Sequence, residues 1–239
     1  MTAAIETLLF DFGGTLDADG LAWKERFNAH YRAEGLTLAP EAFDSTFFAA
    51  DDPLVGAMPP DADLSETVHR LASNFETELG RRGDAAQCRA DSDRGFRVAS
   101  HFIAEVEAVF ARNRPILEAL NCRYRLGIVS NFYGNLEEVC DRAGLARLFG
   151  VIVDSHRVGA VKPDPAIFRA ALDPLGAKAE TTLLVGDSLR RDREGARRTG
   201  TGFVWVAPRE VQVLETQRAG QPLDHFSVVR LSDLPEILA

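Results

Sequence analysis

Four stretches of the sequence place reactive side chains beyond short apolar runs. They are Asp11 in LLFDFGGTL, Ser130-Asn131 after GIV, Lys162 in VKPDP, and Asp187 in LLVGDS, with Asp192 five residues further on. Singly, each has an ordinary reading. An Asp after a strand caps a helix or closes a turn, a Ser-Asn pair closes a turn, and a Lys before Pro is a solvated surface group. Together and in this order they describe a carboxylate, a hydroxyl, an ammonium and further carboxylates on one edge of a sheet. Open α/β sheets carry their chemistry there, at the carboxyl ends of the strands.

The elements that must position these groups are legible as short apolar runs bounded by turn or polar residues. Ile5–Phe10, Tyr124–Val129, Val151–Val153, Thr182–Val185, Phe203–Val206 and Phe226–Val229 read as buried strands. Helical patterns lie between the later ones, at Leu136–Ala143, Pro165–Leu175 and Arg193–Thr199, with Pro165 suited to a first turn and Gly200 to a C-terminal stop. Strands alternating with helices imply a Rossmann-like α/β core with a parallel sheet covered on both faces. Residues 21–110 differ: Trp23–Glu34, Leu64–Leu79 and Gly95–Arg112 have helical spacing, and Asp51–Asp63 reads as a Pro- and Asp-rich loop. The expected organisation is therefore a core of residues 1–20 and 111–239 with an inserted α-helical domain, 21–110. The tight turn Asp17-Ala18-Asp19-Gly20 would lead out of the sheet.

Composition narrows the function. A net charge of −9 argues against binding a nucleic-acid backbone, and the acid-interleaved pairs Arg190-Arg191 and Arg197-Arg198 read as solvated helix faces. Cys88, Cys122 and Cys140 form no CxxC pair, which argues against a zinc site or disulfide framework and fits a reducing compartment. No secretory signal pattern and no membrane-spanning run is visible, so the expectation is a cytoplasmic protein without a membrane partner. Oligomeric state is not legible.

Together, DFGGTL at 11–16, Ser130-Asn131, Lys162 in KPDPAIF and GDSLRRDREGARRTG at 186–200 resemble the four motifs of the haloacid-dehalogenase-like (HAD) hydrolases. The match spans roughly residues 5–207; the insertion matches only in being helical, and by resemblance it is a cap that closes over the site and contacts the leaving group. The resemblance implies a Mg²⁺-dependent phosphatase acting on a small phosphorylated metabolite. In that reading Asp11 attacks phosphorus to give an acyl-phosphate, and a hard, oxygen-preferring cation offsets the charge. Its implied ligands are Asp11, the Gly13 carbonyl and Asp187. Asp192 is a water-mediated or outer ligand, or else simply an exposed acid in the first turn of a helix. Thr15, Ser130 and the backbone amides around Gly14 would donate to the phosphoryl oxygens, and Lys162 would add a fixed positive charge. Asn131 either reaches the substrate or closes its turn. Trp23, Phe27, Phe43, Phe47 and Phe48 either line the space over the site or form the insertion's own core.

One position departs from the family pattern. HAD phosphatases usually carry a second aspartate two residues after the nucleophile, where it protonates the leaving group and then activates water; here that residue is Gly13. A positioned acid–base group contributes typically about 10²–10⁴-fold, so its loss should slow poor leaving groups most. Three readings follow. A phosphatase could draw the group from Asp17, Asp19, a cap residue such as His30, or the substrate. A dehalogenase needs no such group but has no use for the acidic pair at 187 and 192. A catalytically weakened protein would bind or sense a phosphorylated ligand. The sequence shows no basic cluster suited to a multiply phosphorylated substrate.

Overall fold

A computed structural model describes residues 4–82, 90–219 and 226–238. Cys88, counted in the cysteine argument above, lies outside the described residues. Cys122 and Cys140 are free, the first exposed and the second buried.

The sheet has six parallel strands: β1 Thr7–Phe10, β2 Arg125–Ser130, β3 Val151–Asp154, β4 Thr182–Gly186, β5 Gly202–Val206 and β6 Phe226–Val228, in the order β3-β2-β1-β4-β5-β6. Alternate residues of each strand serve opposite faces. Leu8 and Phe10 pack with Leu126, Ile128, Val185 and Val204 into the larger apolar cluster, which continues into the helical insertion. Leu9, Val129, Leu184 and Trp205 pack with Ile167 and Phe168 on the other face. β1 is central, so Asp11 leaves the sheet between β2 and β4, and its amide donates to the Val185 carbonyl at 2.9 Å.

Among the described residues, four helices lie between β1 and β2: α1 Trp23–Ala33, α2 Pro40–Asp51, α3 Leu64–Arg82 and α4 Ser92–Asn121. The helix read over Gly95–Arg112 thus extends to Asn121 and crosses the expected 110/111 boundary. Asp91 starts it by accepting from the amides of Asp93 and Arg94, both at 3.0 Å. Pro115 stands inside it. Helix α2, unread in the sequence, turns Phe43 and Phe47 inward while Phe48 stays exposed. Shorter helices α5 Leu136–Arg142, α6 Ser155–Val158, α7 Pro165–Leu172, α8 Glu194–Thr199, α9 Arg209–Ala219 and α10 Leu234–Ile237 complete the described chain. Gly200 stops α8 in the left-handed region, with φ +81°. No described helix is long and apolar enough to cross a membrane.

Candidate active site

The chain breaks from β1 into a wide turn, Phe12–Leu16, whose shape depends on Gly14 at φ +92°. A Cβ there would sit 2.5 Å from the Asp187 carboxylate, so glycine lets the turn and the end of β4 close together. Gly186 plays the same part for Asp192, whose carboxyl lies 2.5 Å from the position a Cβ would take.

These approaches gather the charged groups. Asp11 Oδ1 accepts from Ser130 Oγ at 2.8 Å and pairs with Lys162 Nζ at 2.6 Å. Lys162 Nζ also lies 2.6 Å from Asp192 Oδ1, and the other Asp192 oxygen accepts from the Ser188 amide at 3.0 Å. Among the described residues no donor meets Asp11 Oδ2. Asp192 is fully buried, which removes its reading as an exposed helix-start acid. Asn131 links to the backbone of Lys162, accepting from its amide at 2.8 Å and donating to its carbonyl at 3.5 Å. That loop closure carries the lysine to the sheet edge.

The electrostatics follow from burial and charge. Burial alone would raise the Asp11 carboxyl, but Lys162, the Ser130 hydroxyl and Arg191 outweigh it and hold Asp11 below its ordinary value. Burial likewise disfavours the Lys162 ammonium, and Asp11 and Asp192 more than restore it. At Asp187 the balance goes the other way: burial first, then Asp11 and Asp192, push its carboxyl well above the normal range and outweigh the opposing pull of Arg191 and Lys162. Oxygens of Asp11, Asp187 and Asp192 lie within 4.8 Å of one another, and Asp187 Oδ1 is buried without any hydrogen-bond partner. A buried, unsatisfied carboxylate oxygen inside an acidic cluster is costly unless a cation completes it. The residues present therefore fit a hard divalent ion bound through oxygen.

A cavity of about 310 Å³ opens above Asp11 and is also lined by Gly13, Ser130, Asn131 and Lys162. Gly14, Thr15, Asp187 and Asp192 do not line it. Thr15 is fully buried, and its hydroxyl has no partner. Trp23, Phe47 and Phe48 line the cavity, whereas Phe27 and Phe43 belong to the core.

Sequence reasoning missed several lining residues, three of them charged groups that bear on the chemistry. Arg190 and Arg191, read as a solvated helix face, line the cavity, and the Arg191 guanidinium makes no ion pair among the described residues. Asp51, read as the start of a loop, ends α2 at the cavity wall and accepts from the Tyr133 hydroxyl at 2.5 Å. Of these, only the adjacency of Arg191 to Asp192 was a signal available beforehand. Asp17, Asp19 and His30 do not line the cavity: Asp17 is sealed among three donors, Asp19 pairs with Arg112, and His30 meets Glu105 at 2.9 Å.

The chain is similar to several known proteins. The phosphoserine phosphatase of Thermus thermophilus is 38% identical over 92 residues, which are 38% of this chain and 37% of that enzyme. The glyceraldehyde 3-phosphate phosphatase of Methanothermobacter thermautotrophicus is 27% identical over 175 residues, 62% of this chain and 77% of that enzyme. The chain thus spans well under half the length of the first relative and about three quarters of the second. Among solved structures, the HAD-hydrolase YfnB from Bacillus subtilis, crystallised with magnesium, superposes with a TM-score of 0.58 at 20% identity and covers 99% of both chains. The model of the haloacid dehalogenase-like hydrolases matches residues 5–200. With that match covering β1 to β4 and the helical insertion, this chain belongs to the haloacid dehalogenase-like hydrolases.

Proposed function

We propose that this hydrolase is a Mg²⁺-dependent phosphatase acting on a small phosphorylated metabolite through an aspartyl-phosphate at Asp11. One observation carries the reading. Asp11 presents Oδ2 without a protein donor at a cavity wall, while Ser130 and Lys162 fix its other oxygen. That is an oriented carboxylate with one oxygen available for attack.

Asp11 Oδ2 forms a bond to phosphorus as the bond to the leaving oxygen breaks, and that oxygen takes a proton. Water then attacks the phosphoryl group, releasing inorganic phosphate and the Asp11 carboxylate. Lys162 holds positive charge beside the phosphoryl oxygens, and the Ser130 hydroxyl orients Asp11. The unpartnered Thr15 hydroxyl is a further donor of the turn, whereas the Gly14 amide is already given to the Asp17 carboxylate. Asp11, the Gly13 carbonyl and Asp187 would hold Mg²⁺, with Asp192 behind them. When bound, the ion supplies charge neutralisation between nucleophile and phosphate. Residues 21–110 act as the cap over a core of 1–20 and 111–239. The cavity's mixed lining of Trp23, Phe47, Phe48 and basic groups suits a compact monophosphate.

The test is an assay with Mg²⁺ on para-nitrophenyl phosphate and a panel of metabolite monophosphates, beside Asp11→Asn and beside enzyme stripped with a chelator. Turnover that needs both Asp11 and the metal supports the reading. Its absence on every substrate defeats it, and beryllofluoride trapped at Asp11 would then favour a phosphate-sensing protein.

A further inference from the structure

Gly13 leaves the proposed reaction without a proton donor for the leaving group or a base for water, and a different carboxylate occupies the same cavity. We propose that Asp51, at the end of α2 in the helical insertion, is the general acid–base residue of this site. The inference rests on the phosphatase reading and adds the residue that the sequence motif lacks.

Geometry carries it. Asp51 lines the cavity that Asp11 and Gly13 also line. Its Oδ1 accepts from the Tyr133 hydroxyl at 2.5 Å, and among the described residues no donor meets its Oδ2. Tyr133 is itself anchored: it lies three residues beyond Ser130, its carbonyl accepts from the Gly56 amide at 3.0 Å, and its ring packs 4.8 Å from Phe132 and 6.1 Å from Trp23. A core hydroxyl therefore holds one oxygen of an insertion-borne carboxylate and leaves the other for the cavity. Among the described residues, the only other carboxylates lining the cavity are Asp11 itself and Glu25, whose side chain is 51% exposed beside Lys24.

The charged and titratable groups around Asp51 are few. Burial and the neighbouring Asp52 raise its carboxyl, while Tyr133 and Arg191 lower it; the balance is about 6. Both protonation states are then accessible near neutral pH, as an acid–base group requires. In the first step the Asp51 carboxyl gives its proton to the leaving oxygen as the P–O bond breaks. In the second the Asp51 carboxylate takes a proton from the attacking water as the Asp11–phosphorus bond breaks. Alcohol and phosphate leave, and Asp51 ends protonated as it began.

The experiment compares wild type, Asp51→Asn and Tyr133→Phe on phosphate esters of graded leaving-group acidity, with rapid-mixing kinetics on para-nitrophenyl phosphate. Asp51→Asn should lose about 10²-fold or more in kcat on alkyl phosphates. On para-nitrophenyl phosphate it should release a burst of nitrophenol and then accumulate phosphorylated Asp11, because only the water step still needs a base. Tyr133→Phe keeps the carboxyl but removes a bond that favours its charged form, so its activity limb should move to higher pH. Unchanged kcat in Asp51→Asn, or an equal loss on every leaving group without a burst, overturns the proposal. So does an unmoved pH profile in Tyr133→Phe, which still decides the matter if Asp51→Asn fails to fold. If wild type itself shows no Asp11-dependent turnover, the phosphatase reading falls and this inference with it.

Discussion

The guanidinium of Arg26 meets the carboxylate of Asp17 at 3.0 Å with both side chains sealed from solvent. The same carboxylate accepts from the Gly14 amide and from Trp23 Nε1, each at 2.6 Å. Asp17 thus joins the glycine turn that presents Asp11 to the first turn of α1, where the helical insertion begins. Burial raises its carboxyl despite Arg26 and the two N–H donors, so the pairing is what keeps a charge tenable there.

Breaking this pair should cost stability more than it costs chemistry directly. Asp17→Ala leaves Arg26 with Glu105 alone and orphans two N–H donors, a loss of about 3–5 kcal/mol by analogy with other buried pairs. Urea denaturation followed by far-UV dichroism measures it. Replacing both partners, as Asp17→Asn with Arg26→Met, should cost less than the sum of the single changes, because no lone charge is then buried.

Asp187 supplies the unpartnered oxygen of the acidic cluster, and its removal separates the metal from the fold. Wild type should gain thermal stability as Mg²⁺ is added, by about 2.7 kcal/mol at a hundredfold excess over the dissociation constant. Asp187→Asn should show little of that gain. Gly14→Ala should lose it too, since the new methyl falls 2.5 Å from the Asp187 carboxylate and the backbone sits at φ +92°. Melting curves with and without the ion check both, independently of any substrate.

Much of this site was legible because its residues stand at the ends of short apolar runs, and the parallel sheet turns chain order into spatial proximity. Phe10 pairs with Ile128 and with Val185, so Asp11, Ser130 and Asp187 had to converge. Asp17 was misread because Asp-Ala-Asp-Gly has turn chemistry, and nothing local reveals Arg26 nine residues on as a buried partner. Asp51 was invisible for a related reason. It falls where Pro and Asp accumulate, and its meaning depends on Tyr133, 82 residues away. Arg191 shares a strongly charged run with Arg197 and Arg198; those two pair with Glu194 at the surface, whereas Arg191 turns to the cavity.

Asp51 also predicts a pH dependence of stability. The folded protein holds its proton up to about pH 6, whereas an unfolded aspartate releases it near 3.8. Between those values the folded state binds more protons than the unfolded one, so this group's contribution falls as pH rises from about 4 to about 6. The full difference amounts to at most about 3 kcal/mol. Asp51→Asn lacks the titration, so its stability relative to wild type should improve across that window and then level off. Denaturant midpoints of the two proteins at pH 4.5, 5.5 and 7 would show it, and a constant difference would refute it.

Gly13 and Asp51 can be played against each other. Gly13 has φ −73° and ψ 116°, a backbone that any residue adopts, and a Cβ there would lie 3.4 Å from Trp23 Nε1 with nothing nearer. An aspartate therefore fits without refolding the turn, and it would enter the cavity beside Asp11. If Asp51 already supplies the proton, Gly13→Asp should do little in wild type, where the position it fills is not limiting. In an Asp51→Asn background the same change should restore about 10²-fold on alkyl phosphates, the usual worth of a placed acid–base group. Equal acceleration in both backgrounds would mean that Asp51 contributes nothing to proton transfer. Rescue confined to the Asp51→Asn background would mean that two carboxylates, one from the core turn and one from the helical insertion, are alternative sources of one proton.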